Sequence, residues 1–366
     1  MDLIGDCIDY QIPVTTRTEA RIWGLPKFSS NYDVSAFFLS LIRRTTVPPT
    51  LPFNPFSGSK NVTGNYTIGA TFCSPKNTSK GGHEKTVLLA THGLGYDRRY
   101  WIPTVKTSEY SFAEYAVSKG YSIFMYDRVG TGESSRVSGY NESQISNQLA
   151  ILTSLTNSVR SGHYTGTLGQ PSKVVHVGHS YGSILSHTLV EQDPSISDGI
   201  ILTGTGYNAT AMAFPVAFEG VRGNIATTVS PAKYMGLDSG YLAPADIYGL
   251  TVFFFNPVDF DPEALWYSQY IAQPLAAIEL LPAVAGSPGA TNFTGPVMIL
   301  TGEVDLPNCG GNCNGGILEH PTREIFSKAK PFKTAVHPNS GHGINFNPNA
   351  TGAFGVMMDF LAESGL

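Results

Sequence analysis

The chain has 366 residues, of which 42% are hydrophobic and 14% charged, with a net charge of −5; this suffices for a large core in one decorated α/β domain or two smaller ones. No apolar stretch approaches the roughly 20 residues of a bilayer span, and neither sign of charge gathers into a run. These features argue against a membrane span and against nucleic acid or an anionic membrane as partner.

Residues 1–84 read as an N-terminal extension packed on the core. Cys7 to Val14 and Tyr66 to Cys73 have strand character, and their antiparallel pairing would bring the two thiols together. A short helix is expected at Val34 to Ile42. The proline-rich run Pro48 to Pro55 suits a surface loop, since proline lacks a donor and fixes φ.

From residue 85 onward strands and helices alternate in the rhythm of a largely parallel sheet. The run Lys85 to Thr91 stops at His92-Gly93-Leu94-Gly95, a loop whose backbone N–H groups, Leu94 among them, are candidates to meet a developing oxyanion. Tyr121 to Tyr126 breaks into Asp127-Arg128-Val129-Gly130-Thr131-Gly132-Glu133-Ser134. That spacing is neither G-x-G-x-x-G nor a P-loop and offers no lysine to a phosphate, so the loop reads as structural, with Asp127 and Arg128 a buried or half-buried pair of charges.

After a helix from about Glu142 to Arg160, the strand Val174 to Val177 runs into Gly178-His179-Ser180-Tyr181-Gly182-Ser183. A serine between glycines at a strand-to-helix turn is the nucleophile-elbow pattern, in which side chains at 178 and 182 would collide with their neighbours. Ser180 is the candidate nucleophile and the Tyr181 N–H the candidate second oxyanion donor. His176 and His179 read as satisfied core histidines.

Between the strand Gly199 to Leu202 and the next strand at Pro296 lie about 90 residues, far more than a connection needs. Residues 205–291 are therefore expected to form a folded insertion. Its aromatics include Phe214, Phe254 and Trp266, expected pocket residues because small-molecule sites are lined mainly by apolar and aromatic side chains; a small-to-medium apolar or aromatic substrate is implied. The strand Pro296 to Thr301 then ends in Gly302-Glu303-Val304-Asp305, and a later strand is followed by Gly341-His342-Gly343. Asp305 is preferred over Glu303 on spacing, and His342 over His337, which precedes a proline.

The order serine, acid, histidine, with the H-G loop, the D-x-x-G-x-G-x-S loop, the G-x-x-D turn and the late G-H, resembles the α/β-hydrolase superfamily from about residue 85 to the C-terminus. The resemblance implies a mostly parallel central sheet with helices on both faces, a core of 85–204 and 292–366, and a mainly helical cap at 205–291. It assigns Ser180 as nucleophile, His342 as general base and then acid, and Asp305 as the carboxylate that orients the imidazole. Haloalkane dehalogenases and epoxide hydrolases of the superfamily carry aspartate at the nucleophile position, so a serine there favours attack on a carbonyl. The leading expectation is cleavage of an ester or lactone through an acyl-enzyme. Non-hydrolytic acyl transfer or cyclisation of a natural product in the same shielded pocket is the alternative, and a silent binding protein ranks below both. No cofactor is expected.

Cys309 and Cys313 bracket Gly310-Gly311-Asn312 and are expected to pair, as are Cys7 and Cys73. A metal site would need a C-x-x-C or a close histidine pair, which the chain lacks. Disulfides and seven N-x-S/T sequons, at Asn61, Asn65, Asn77, Asn141, Asn208, Asn292 and Asn349, point to secretion. Met1 to Gly5 has no signal-peptide character, so a replaced leader is the accompanying expectation. The oligomeric state is open.

Overall fold

The computed structural model describes residues 5–42, 53–76, 82–208, 211–281 and 289–366; the side chains of residues 42 and 214–216 fall outside this set. Most of the expected proline-rich loop and the sequon Asn77 also lie outside the described residues.

In chain order the strands are β1 (Gly5–Trp23), β2 (Phe56–Pro75), β3 (Thr86–Thr91), β4 (Ser122–Tyr126), β5 (Lys173–His179), β6 (Gly199–Thr203), β7 (Asn224–Ile225), β8 (Tyr241–Ala243), β9 (Leu275–Ala276), β10 (Val297–Gly302) and β11 (Phe332–His337). Eight of them make one sheet in the order β1-β2-β4-β3-β5-β6-β10-β11. From β4 to β11 all neighbours are parallel, whereas β2 is antiparallel to β1 and to β4. Every residue of β3, β4, β6 and β10 is buried. That is why these strands read as unbroken apolar runs: parallel strands between helical layers bury both faces. Of the helices that flank this sheet, Ile145–Arg160 packs with Tyr181–Gln192 and Phe112–Ser118 with Ala350–Glu363.

β1 and β2 are 19 and 20 residues long, well beyond the segments expected from sequence. β2 pairs with β4 only over Ala70 to Cys73, and the rest of the two-stranded ribbon runs past the sheet. Its alternation of buried Ile12, Val14 and Thr16 with exposed neighbours marks one face on the core and one in solvent. Cys7 and Cys73 lie opposite each other in register and form a disulfide, Cα to Cα 4.1 Å.

Between β6 and β10 the chain forms helices at Phe214–Val221, Ala226–Val229, Ile247–Phe254 and Pro262–Ile271, together with a separate antiparallel sheet, β7-β8-β9. The small sheet was not legible, because strands of two or three residues carry no periodicity. The helix Asn31–Ile42 holds this region from the N-terminal side: Asn31 Oδ1 accepts from the Ile225 amide at 2.8 Å, and the Phe38 ring lies 6.1 Å from Phe218. Among the described residues no helix is long and apolar enough to cross a membrane.

Candidate active site

Ser180 sits between β5 and the helix Tyr181–Gln192 with φ 53° and ψ −115°, a backbone region that side-chain-bearing residues seldom occupy. The flanking glycines make the turn possible. A Cβ on Gly178 would lie 2.5 Å from the Gly182 carbonyl oxygen, and one on Gly182 2.0 Å from that of Thr91, far inside contact distance. The Ser180 amide donates to the Thr203 carbonyl at 2.8 Å, tying the turn to β6 while the side chain stays half-buried.

The loops after β10 and β11 bring Asp305 and His342 to this serine. His342 Nδ1 donates to Asp305 Oδ2 at 2.7 Å, which leaves Nε2, 2.8 Å from Ser180 Oγ, as the acceptor for the hydroxyl proton. Asp305 is fully buried and His342 is 1% exposed. The carboxylate is held by Asn308, a residue not singled out from sequence: its amide donates to Oδ1 at 2.9 Å and its side-chain nitrogen to Oδ2 at 3.0 Å. Asp305 thereby caps the one-turn helix Leu306–Cys309, a position for which aspartate is among the preferred residues. The Cys309–Cys313 disulfide, Cα to Cα 5.0 Å, closes the same loop, where the Cys309 and Gly311 amides donate to the Asp305 carbonyl. Glu303 points elsewhere, accepting from Asn314 Nδ2 and the Asn339 amide, bonds that hold its carboxyl below the usual range. His337 Nε2 donates to the Asn349 carbonyl.

The loop after β3 lies against the serine: a Cβ on Gly93 would be 3.0 Å from Ser180 Cβ. Two groups grip the Gly93 carbonyl, His92 Nδ1 at 2.8 Å and Arg128 Nη2 at 3.2 Å. That carbonyl shares a planar trans peptide with the Leu94 amide, so the Leu94 N–H points away from both. His92 is wholly buried, and burial first, then the Arg128 charge, keep its imidazole well below its usual pKa; its neutral Nε2 accepts the Arg128 amide at 3.0 Å. The Tyr181 amide, in the first turn of its helix, has no intrahelical acceptor. The Arg128 guanidinium stacks 4.8 Å from the Tyr181 ring centroid.

Asp127 and Arg128 are both buried, but they do not pair with each other. Asp127 pairs with Arg98, and Arg128 with Glu279 of the insertion and with Gln148. Adjacent residues at the end of a strand face opposite ways, and each found its own partner. His176 and His179 are core residues: His176 bonds Thr156 and Ser197, and His179 stacks on Tyr100 at 4.4 Å.

Of the three expected pocket aromatics, Phe254 lies at the site, its ring 5.8 Å from His342, with Phe253 beside it at 5.2 Å. Both line a wholly apolar cavity of about 20 Å³, with Leu94, Phe218, Val221 and Leu275. Trp266 is a correction: it is 65% exposed and does not line this cavity. Its helix buries Ala264, Leu265, Ser268 and Ile271, and residue 266 falls on the opposite face. The side chain of Phe214 lies outside the described residues.

The sequence profile of the alpha/beta hydrolase family matches residues 87–353, and the chain belongs to that family. A search of curated protein sequences finds no match. Among solved structures, the chain is similar to a thermophilic esterase from Thermogutta terrifontis, with 17% identity over 81% of this chain and 94% of that one and a TM-score of 0.53. It is similar to a candidate lipase from Acinetobacter baumannii AYE, with 16% identity, 81% and 89% coverage and a TM-score of 0.52. A membrane phospholipase A described as a bacterial virulence factor follows, with 16% identity, 81% and 86% coverage and a TM-score of 0.50. At these identities the likeness is one of fold.

Proposed function

We propose that the protein is a serine hydrolase that cleaves an ester or lactone through an acyl-enzyme, with Ser180, His342 and Asp305 as its triad. The observation that carries this reading is the unbroken chain from Ser180 Oγ to His342 Nε2 at 2.8 Å and from His342 Nδ1 to Asp305 at 2.7 Å. A serine hydroxyl is a weak nucleophile at neutral pH. As Oγ attacks the substrate carbonyl, His342 takes its proton and the Asp305 charge stabilises the imidazolium. The carbonyl oxygen becomes an oxyanion facing the Leu94 and Tyr181 amides. His342 then protonates the departing alkoxide, and a water molecule, deprotonated by the same nitrogen, releases the acid and restores the serine.

Residues 205–291 act in this reading as a cap. Phe253 and Phe254 pack on His342, the Gly343 amide donates to the Phe254 carbonyl at 2.7 Å, and the Gln273 amide to the Gly95 carbonyl at 2.8 Å. The apolar cavity beneath them is small, about 20 Å³, which favours a short acyl chain. We further infer an oxidising, extracellular setting from the two disulfides and from the exposed sequons Asn61, Asn65, Asn141, Asn292 and Asn349; a drop in mass of the secreted protein on endoglycosidase treatment checks it.

The mechanism is tested by intact mass after fluorophosphonate treatment. One adduct on the wild type and none on a folded Ser180→Ala variant is the expected result. An adduct on both, or on neither, removes Ser180 as the nucleophile.

A further inference from the structure

A second cavity, about 540 Å³ in volume, opens between the β4 loop, at Gly130 to Ser134, and the insertion, at Val229 to Leu237 and Gln269 to Pro274. Its charged lining is all of one sign: Arg99, Arg136 and Lys233, with no carboxylate among the lining residues, on a chain whose net charge is −5. Arg99 is partly neutralised from behind by the buried Asp97. The other two donate to carbonyls, and the Lys233 ammonium also lies 5.6 Å from the Tyr234 ring centroid. Arg136 donates to the Met235 carbonyl, and Lys233 Nζ to those of Gln269, at 3.3 Å, and Tyr270, at 2.9 Å. The Lys233 stem is exposed, yet its ammonium is seated against those carbonyls, and desolvation together with the nearby Arg99 lowers its pKa to about 8. A cation desolvated beside another cation, where the one nearby carboxylate, Asp97, is already bonded to Arg99, gains from an anion that arrives with a ligand.

The cavity lies on the same edge of the sheet as Ser180. The β4 loop and the elbow leave strands that are two places apart in the order β4-β3-β5, a lateral step of about 10 Å at the usual strand spacing. Pro244 lines both this cavity and the small apolar one at Leu94 and Phe254. We propose that the second cavity receives a carboxylate on the alcohol side of the substrate, so that the protein acts on short-acyl esters whose alcohol portion ends in an anion. This rests on Ser180 being the nucleophile. The apolar cavity takes the acyl group, Arg136 and Lys233 take the carboxylate, and the chain between them passes Pro244.

The test compares 8-acetoxyoctanoate with its methyl ester, which share the acetyl group and chain; methylation removes the charge, and acetate release reports only on the bond that the two have in common. Acetate release by the wild type should favour the anionic ester in kcat/KM at least tenfold, and added salt should erode that preference as it screens the pair. The Arg136→Ala/Lys233→Ala double variant should lose the preference through a higher KM for the anion, with the methyl ester hydrolysed as by the wild type. No preference in the wild type, or an equal loss on both esters in the variant, overturns the proposal. Calorimetric binding of the same two esters to Ser180→Ala separates this proposal from the reading of the triad. Tight binding of the anion alone, abolished by the double substitution, supports the anion site even where neither ester is turned over, and equal binding of both esters refutes it.

Discussion

Arg128 is the residue whose part in the site is hardest to see from its position in the chain. It is 1% exposed, grips the carbonyl of the Gly93–Leu94 peptide, and stacks on Tyr181, so one cation touches both proposed sources of oxyanion-hole amides. A charged donor on the carbonyl polarises the peptide and makes its N–H a better donor. Arg128→Met alone would strand Glu279 as a buried unpaired carboxylate, at a cost of about 3–5 kcal/mol. Arg128→Met with Glu279→Gln removes that penalty while keeping an acceptor for the Ala276 amide, which now bonds Glu279 at 2.8 Å. The double variant is expected to melt within a few degrees of the wild type yet to lose about tenfold in kcat on a neutral ester, with KM little changed, as befits support given only to the transition state. Steady-state kinetics beside a melting curve decide it; an unchanged kcat would leave Arg128 a purely structural ion.

At the level of elements, legibility followed how local each cause is. The strands β3, β5 and β10 are apolar because both faces are covered, and Gly178 of the elbow is demanded by the backbone of Gly182 and Ser183, so each leaves its mark in a short stretch of sequence, while Gly182, pressed on the distant Thr91 carbonyl, is legible only through the G-x-S-x-G spacing. The same is true of Ser180, Asp305 and His342, whose glycine frames single them out. What the sequence hides is set by distant partners. The Arg128–Glu279 pair joins residues 151 positions apart, and nothing near either residue announces the other. Trp266 looks like a pocket residue until the buried face of its helix is known, the rotation of about 100° from one residue to the next being enough to send a side chain to solvent. The length of β1 and β2 is hidden too, because the ribbon beyond the sheet alternates with polar residues that propensity alone leaves in a loop. The helix Asn31–Ile42 reaches residues 214–225 through Asn31 and Phe38, and so braces the wall of the apolar cavity at Phe218.

Among the wholly buried histidines are His92, His176 and His179, and burial drives the pKa of each of these down, that of His176 to about 3. The unfolded chain protonates them near their ordinary pKa of about 6.5. Between that pH and the folded value the unfolded state binds more protons, so stability falls as the pH drops, each such histidine steepening the slope by up to about 1.4 kcal/mol per pH unit. Above pH ~6.5 both states hold them neutral and they add no slope. His176 isolates the effect, since it bonds Thr156 and Ser197 away from Ser180. His176→Gln should be less stable than the wild type at pH 7.5, where two buried hydrogen bonds are disturbed, and should then close the gap by about 2–3 kcal/mol on acidification to pH ~4.5. Denaturant unfolding at the two pH values measures this directly. Parallel curves would mean that the His176 imidazole gains a proton in the folded protein, which its burial between two hydroxyls opposes.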